Sequence, residues 1–102
     1  MPGRMLQINF KFNVTKAEYE QAASSLAGDF AALAGLRWKI WIMNEAEKEA
    51  GGYYMFKDAA SITAFLEGPL AAKVTGHPAL SDFSVKQFDV MDDVTKITRG
   101  PI

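Results

Sequence analysis

The sequence predicts a single α+β domain of the ferredoxin-like βαββαβ type, a four-stranded antiparallel sheet with two helices on one face. Three observations predict it. A strictly alternating apolar segment opens the chain, two helical stripes with capping signals follow at intervals, and an aromatic-rich pair of strands lies between those stripes. At 102 residues the chain, covered as one domain over 1–102, is long enough for one core and too short for two.

In the first strand Leu6, Ile8, Phe10, Phe12 and Val14 take one face, while Gln7, Asn9, Lys11 and Asn13 take the other. Thr15 and Glu18 then form a Thr-x-x-Glu capping box. Tyr19, Ala23, Leu26, Phe30 and Leu33 recur at spacings of three and four, which makes a helix of about five turns. Gly35 is placed to end that helix.

Leu36 to Met43 form the second strand, with Leu36, Trp38, Ile40 and Ile42 on one side and Arg37, Lys39, Trp41 and Met43 on the other. Polar residues from Asn44 to Ala50 turn the chain into a hairpin, and Gly51-Gly52, a candidate bulge, leads into Tyr53-Tyr54-Met55-Phe56. Asp58 caps the second helix, whose inner stripe is Ile62, Phe65 and Leu66. Gly68-Pro69 interrupts it, with Pro69 suited to open a further turn that Leu70 and Val74 continue.

Gly76-His77-Pro78 is a loop, and Phe83 to Met91 form the fourth strand. The tail from about residue 92 reads as polar and loosely held, with Val94 and Ile97 available to dock it. The helices cover one sheet face. The other carries too many apolar groups for open water, so a homodimer packed through the sheet face is expected.

Composition narrows the partners. A hydrophobic content of 49% and a charged content of 23% suit a folded chain. The net charge of −1, with scattered Lys and Arg, lacks the basic stripe that nucleic acid requires. An RNA-recognition module shares the βαββαβ order, yet Gly-Gly-Tyr-Tyr-Met-Phe lacks the leading basic residue and the alternating aromatic pair that stacks bases. The absence of cysteine removes disulfides and thiolate chemistry, and fits a reducing compartment. No apolar run approaches the roughly 20 residues of a membrane helix, and no signal sequence is evident; a cytoplasmic location is expected, without membrane association.

The stretch Gly35-Leu36-Arg37-Trp38-Lys39-Ile40-Trp41, then Glu49-Ala50-Gly51-Gly52-Tyr53-Tyr54-Met55-Phe56, and the strand Lys86-Gln87-Phe88-Asp89-Val90 resemble the YdhR family. The likeness runs from about Leu6 to Ile97, and the helices match in pattern more than in identity. The resemblance implies the dimeric α+β barrel. It also implies the activity for which the family is named, by similarity to cofactor-free antibiotic-biosynthesis monooxygenases: a polycyclic phenol or quinol is deprotonated and its carbanion reduces O₂ with neither metal nor flavin. Cofactors are therefore expected to be none.

Such chemistry asks for a dry aromatic-walled pocket, donors for an oxyanion and a weak base. Trp38, Trp41, Tyr53 and Tyr54 can supply walls with N–H or O–H handles, and Asn9, Lys39 or Arg37 can stabilise the oxyanion. Each has a structural alternative. The two tryptophans fall on opposite faces, so one fills core and the other an interface or pocket; the tyrosines split likewise. Lys39 and Arg37 suit dimer packing or a rim ion pair more than catalysis. His77, the single histidine, reads as an exposed loop residue, and it leaves no metal site without further ligands. Haem degradation, known on this barrel fold, is a minor alternative because His77 lies beyond the helix that would carry the ligand. Glu45, Glu47 and Glu49 read as solvated loop charges, although Glu49 adjoins the glycine pair. The expected ligand is an apolar aromatic small molecule, converted by an oxygenase or simply held by a non-catalytic dimeric binding protein.

Overall fold

The computed structural model describes residues 3–102. Its elements are β1 (Arg4–Phe12), α1 (Lys16–Ala31), β2 (Leu36–Asn44), β3 (Glu49–Phe56), α2 (Ala59–Leu66), α3 (Pro69–Thr75), β4 (Leu80–Asp89) and α4 (Asp92–Ile97). The strands make one antiparallel sheet in the order β2-β3-β1-β4, the ferredoxin-like arrangement. The second helix of the pattern is broken into α2 and α3, because Gly68 caps and Pro69 opens a new helix.

The alternation of β1 builds the core. Leu6, Ile8, Phe10 and Phe12 are all buried against the helices, each contributing about 1.5–3 kcal/mol by leaving water. Phe10 packs on Tyr19 and Phe83, and Phe12 stacks on Tyr19. The capping box at the start of α1 is formed: the Glu18 N–H donates to Thr15 Oγ1 at 3.1 Å, and the Thr15 N–H donates to Glu18 Oε1 at 3.0 Å. The bond from the Thr15 N–H is the larger cause that holds the Glu18 carboxyl below its ordinary range. The helix stops at Ala31, capped at Ala32, and so falls short of Leu33. Gly35 therefore does not cap it directly; with φ 83 it turns the chain into β2.

Two corrections concern β2 and β3. The pairing register shifts between Leu36 and Trp38, since Leu36 faces Phe56 while Trp38 faces Met55. Arg37 is the extra residue of this bulge, so Leu36 does not share a face with Trp38, Ile40 and Ile42. It shares one with Lys39, Trp41 and Met43, the partners of Tyr54, Gly52 and Ala50 on the helix side. The glycine pair, by contrast, lies inside a regular ladder. A methyl on Gly51 would overlap the Ile8 carbonyl and stand 2.9 Å from Asn9 Cα, so the glycine permits close strand approach there.

Asp58 caps α2 by accepting from the Ser61 N–H at 2.8 Å, and Ile62 and Phe65 are buried from that helix. β4 begins earlier than its apolar pattern suggested, at Leu80, because Phe12 pairs with Leu80 beyond an irregularity between Asn9 and Lys11. After β4 the chain forms α4 and reaches the opposite sheet edge, where the Trp38 indole N–H donates to the Pro101 carbonyl at 2.8 Å. Val94 and Ile97 stay exposed, so they do not dock this segment. On the sheet face away from α1–α3, Ile40 and Phe88 are about half exposed. Among the described residues no helix is long and apolar enough to cross a membrane.

Candidate functional site

Between the sheet and the helix layer lies a cavity of about 220 Å³. Tyr19, Leu26 and Phe30 of α1 wall one side, Phe10, Lys39, Trp41 and Tyr54 rise from the sheet, and Val74, His77 and Leu80 close the far end. The volume is below the roughly 300–1,000 Å³ of drug-sized pockets, so it suits a ligand of one or two fused rings.

Lys39 is the chemical centre of this cavity. Its stem lies over Gly52, where an added Cβ would come 2.8 Å from Lys39 Cε. Its Nζ stands 3.3 Å from the Trp41 ring centroid, 3.6 Å from that of Phe30 and 4.6 Å from that of Tyr54. Phe30 meets Trp41 edge-on at 5.3 Å, which fixes two walls of the cage. Among the described residues, no carboxylate pairs with Lys39 and no hydrogen bond holds it. Burial without a counter-ion lowers its pKa to about 7, while the aromatic faces retain part of the attraction for the charged form. At neutral pH the amine is thus able to accept a proton, and the ammonium able to face a developing anion.

Two hydroxyls line the same space. Tyr54 is buried, its phenol pushed above the ordinary range first by burial and then by Tyr19 nearby, so it stays a neutral donor. Tyr19 is raised by burial as well. Neither hydroxyl has a hydrogen-bond partner among the described residues. His77 is half-buried rather than an exposed loop residue. The Ala79 N–H donates to its Nδ1 at 3.1 Å, so the neutral ring carries its proton on Nε2.

The cavity therefore brings together Lys39, Trp41 and Tyr54 of the sheet and His77 of the α3–β4 connection, and the sheet separates them from the remaining candidates. Asn9, Trp38, Tyr53 and Glu49 belong to the opposite face, by their pairing with Gly51, Met55, Gln7 and Lys11. There Asn9 Nδ2 donates to Glu49 Oε2 at 2.9 Å, with Lys11 Nζ 3.9 Å from the same carboxylate. Glu49 is thus bonded rather than merely solvated. Arg37 sits exposed at the bulge, near Gly3. Lys39 faces the helices, which removes it from sheet-to-sheet packing and from any rim ion pair. Tyr19 was not legible as a site residue, since its position within the helical stripe marks it only as core. Its hydroxyl, alone in an otherwise apolar stripe, is the signal that could have found it. Among the described residues no cluster of three or more His, Asp or Glu side chains could hold a metal.

Comparison with known proteins places this architecture. The chain is similar to NE2512, a Nitrosomonas europaea protein of unknown function (18% identity, 89% of this chain and 91% of that one, TM-score 0.74). It is also similar to SnoaB, a cofactor-independent oxygenase from Streptomyces nogalater (17% identity, 90% and 96% covered, TM-score 0.73). A dimeric ferredoxin-like protein of unknown function from Thermobifida fusca matches with 21% identity, 87% and 92% covered, and a TM-score of 0.67. At these identities the likeness establishes the fold. None of the curated proteins matches. The family model described as "Putative mono-oxygenase ydhR" matches residues 5–101, and the chain belongs to that family.

Proposed function

We propose that the protein is a cofactor-independent monooxygenase of small phenols or quinols, with the cavity around Lys39 as its active site. The observation that carries this reading is the unpaired Lys39 amine held among Trp41, Phe30 and Tyr54 in an apolar cavity. Neutral Lys39 accepts the substrate proton, and the ammonium so formed faces the phenolate or enolate oxygen. The electron-rich ring passes an electron to O₂, and recombination gives a hydroperoxide at a ring carbon. Loss of water leaves a carbonyl there. One oxygen atom enters the product and the other leaves as water, with all four electrons drawn from the substrate. The Tyr54 hydroxyl and His77 Nε2–H are the donors available to the departing oxygen.

The test is oxygen uptake by metal-free protein given hydroxylated naphthalenes, which match the two-ring capacity of the cavity. Uptake above the spontaneous rate is expected, rising as pH increases through about 7, because the base must be deprotonated to act. A ligand that quenches tryptophan fluorescence with no uptake at any pH would instead favour a non-catalytic binding protein, a reading supported by the apolar lining of Phe10, Val14, Leu26 and Leu80.

The active form in this reading is a homodimer packed through the open sheet face. Half-exposed Ile40 and Phe88 there, with Val94 and Ile97 on α4, support a second copy as the cover. Light scattering at micromolar concentration is expected to give twice the chain mass, and a monomer would remove this assembly.

A further inference from the structure

The geometry points to Lys39 Nζ as a nucleophile that condenses with the carbonyl of a small aromatic aldehyde or ketone to form an imine inside the cavity. This activity is distinct from oxygenation. It needs the same cavity but neither O₂ nor an acidic substrate.

Three features carry it. First, the amine is presented at a cavity wall, on a stem given room by Gly52, and no carboxylate holds it as a cation. Second, Trp41, Phe30 and Tyr54 surround it with ring faces and edges, which seat an aryl group beside the nitrogen. Third, the ring of Tyr54 lies 4.6 Å from the amine, and Tyr54, Tyr19 and His77, each carrying a donor group, line the same cavity. The one carboxylate of the lining, Glu18, accepts from the Thr15 N–H. It does not compete for the amine.

The step balances without a co-reactant. The Nζ lone pair attacks the carbonyl carbon, and the oxygen takes a proton from a neighbouring donor. The carbinolamine then loses that oxygen as water, the nitrogen gives up its protons, and the C=N bond remains. Burial that favours the neutral amine makes the attack possible near neutral pH, where surface lysines are almost wholly protonated.

The 102-residue chain incubated near neutral pH with 2-naphthaldehyde and sodium cyanoborohydride, then mapped by peptide mass spectrometry, tests the proposal. The expected result is a reduced naphthylmethyl adduct on Lys39, formed at least about tenfold faster than on any other lysine. An excess of naphthalene, which has no carbonyl, should slow labelling at Lys39 and leave the surface lysines unchanged. Adducts spread evenly over the lysines, no adduct at Lys39, or labelling there that is indifferent to naphthalene would each overturn it. The readout is made on the unaltered chain, so it depends on no variant folding. Oxygen uptake plays no part in it, and the two readings therefore fail separately.

Discussion

Replacing Lys39 with Met should cost oxygenase activity at least about 100-fold in kcat/KM, the usual worth of a positioned general base, and should also make the protein more stable. The two effects share one cause. Lys39 lies among aromatic rings with no counter-ion among the described residues, so the folded state must hold it neutral or bury a charge. Methionine fills nearly the same space with no charge to desolvate, and a gain of about 1 kcal/mol is expected. The sign with pH follows from the depressed pKa. Between about 7, its value in the folded chain, and about 10.4 in the unfolded chain, the unfolded state binds more protons, so wild-type stability rises with pH across that window. The variant lacks that rise. Its advantage should therefore be largest below about pH 7 and shrink above it, which urea midpoints at several pH values would reveal. A variant that is inactive and less stable at every pH would mean that Lys39 supports the fold instead of burdening it.

The second large effect is structural. Gly51→Ala should destabilise the fold by at least about 3 kcal/mol, because the new methyl would meet the Ile8 carbonyl and Asn9 Cα of the neighbouring strand, neither of which can rotate away. The two central strands would have to part, taking Lys39 and Tyr54 with them. Gly28→Ala is the matched control. That glycine lies exposed in α1 with open space at its Cβ position, so alanine should stabilise by about 0.5–1 kcal/mol through helix propensity alone. Equal midpoints for the two variants would show that the close approach at Gly51 carries no energetic weight.

Much of the fold was legible because its signals are local. The alternation of Leu6, Ile8, Phe10 and Phe12 set the inward face of β1, and the Thr15 and Glu18 pair marked the start of α1 before any tertiary contact was known. Asp58 and Gly68-Pro69 did the same for α2 and α3. The site was less legible because its decisive feature is a change of phase. Leu36, Trp38, Ile40 and Ile42 are the more apolar set of β2, and simple alternation would turn them together toward the core. The bulge at Arg37 sends Leu36 inward but then hands the inward positions to Lys39, Trp41 and Met43. No residue type in that stretch announces the extra position. The place of His77 is hidden for a related reason: a histidine between glycine and proline has loop chemistry, yet it lines the cavity while its ring accepts from the Ala79 N–H.

The odd spacing of Trp38 and Trp41 along β2 gives the molecule two optical reporters that look in opposite directions. Trp41 stands against the Lys39 ammonium and the cavity, while Trp38, on the reverse of the same strand, holds the carbonyl of Pro101 through its indole nitrogen. Removing either indole leaves a chain whose remaining emission watches one side of the sheet alone. Occupancy of the cavity and movement of the C-terminal segment, events that a mixed signal would blur, thereby become separable by colour and intensity without any attached dye.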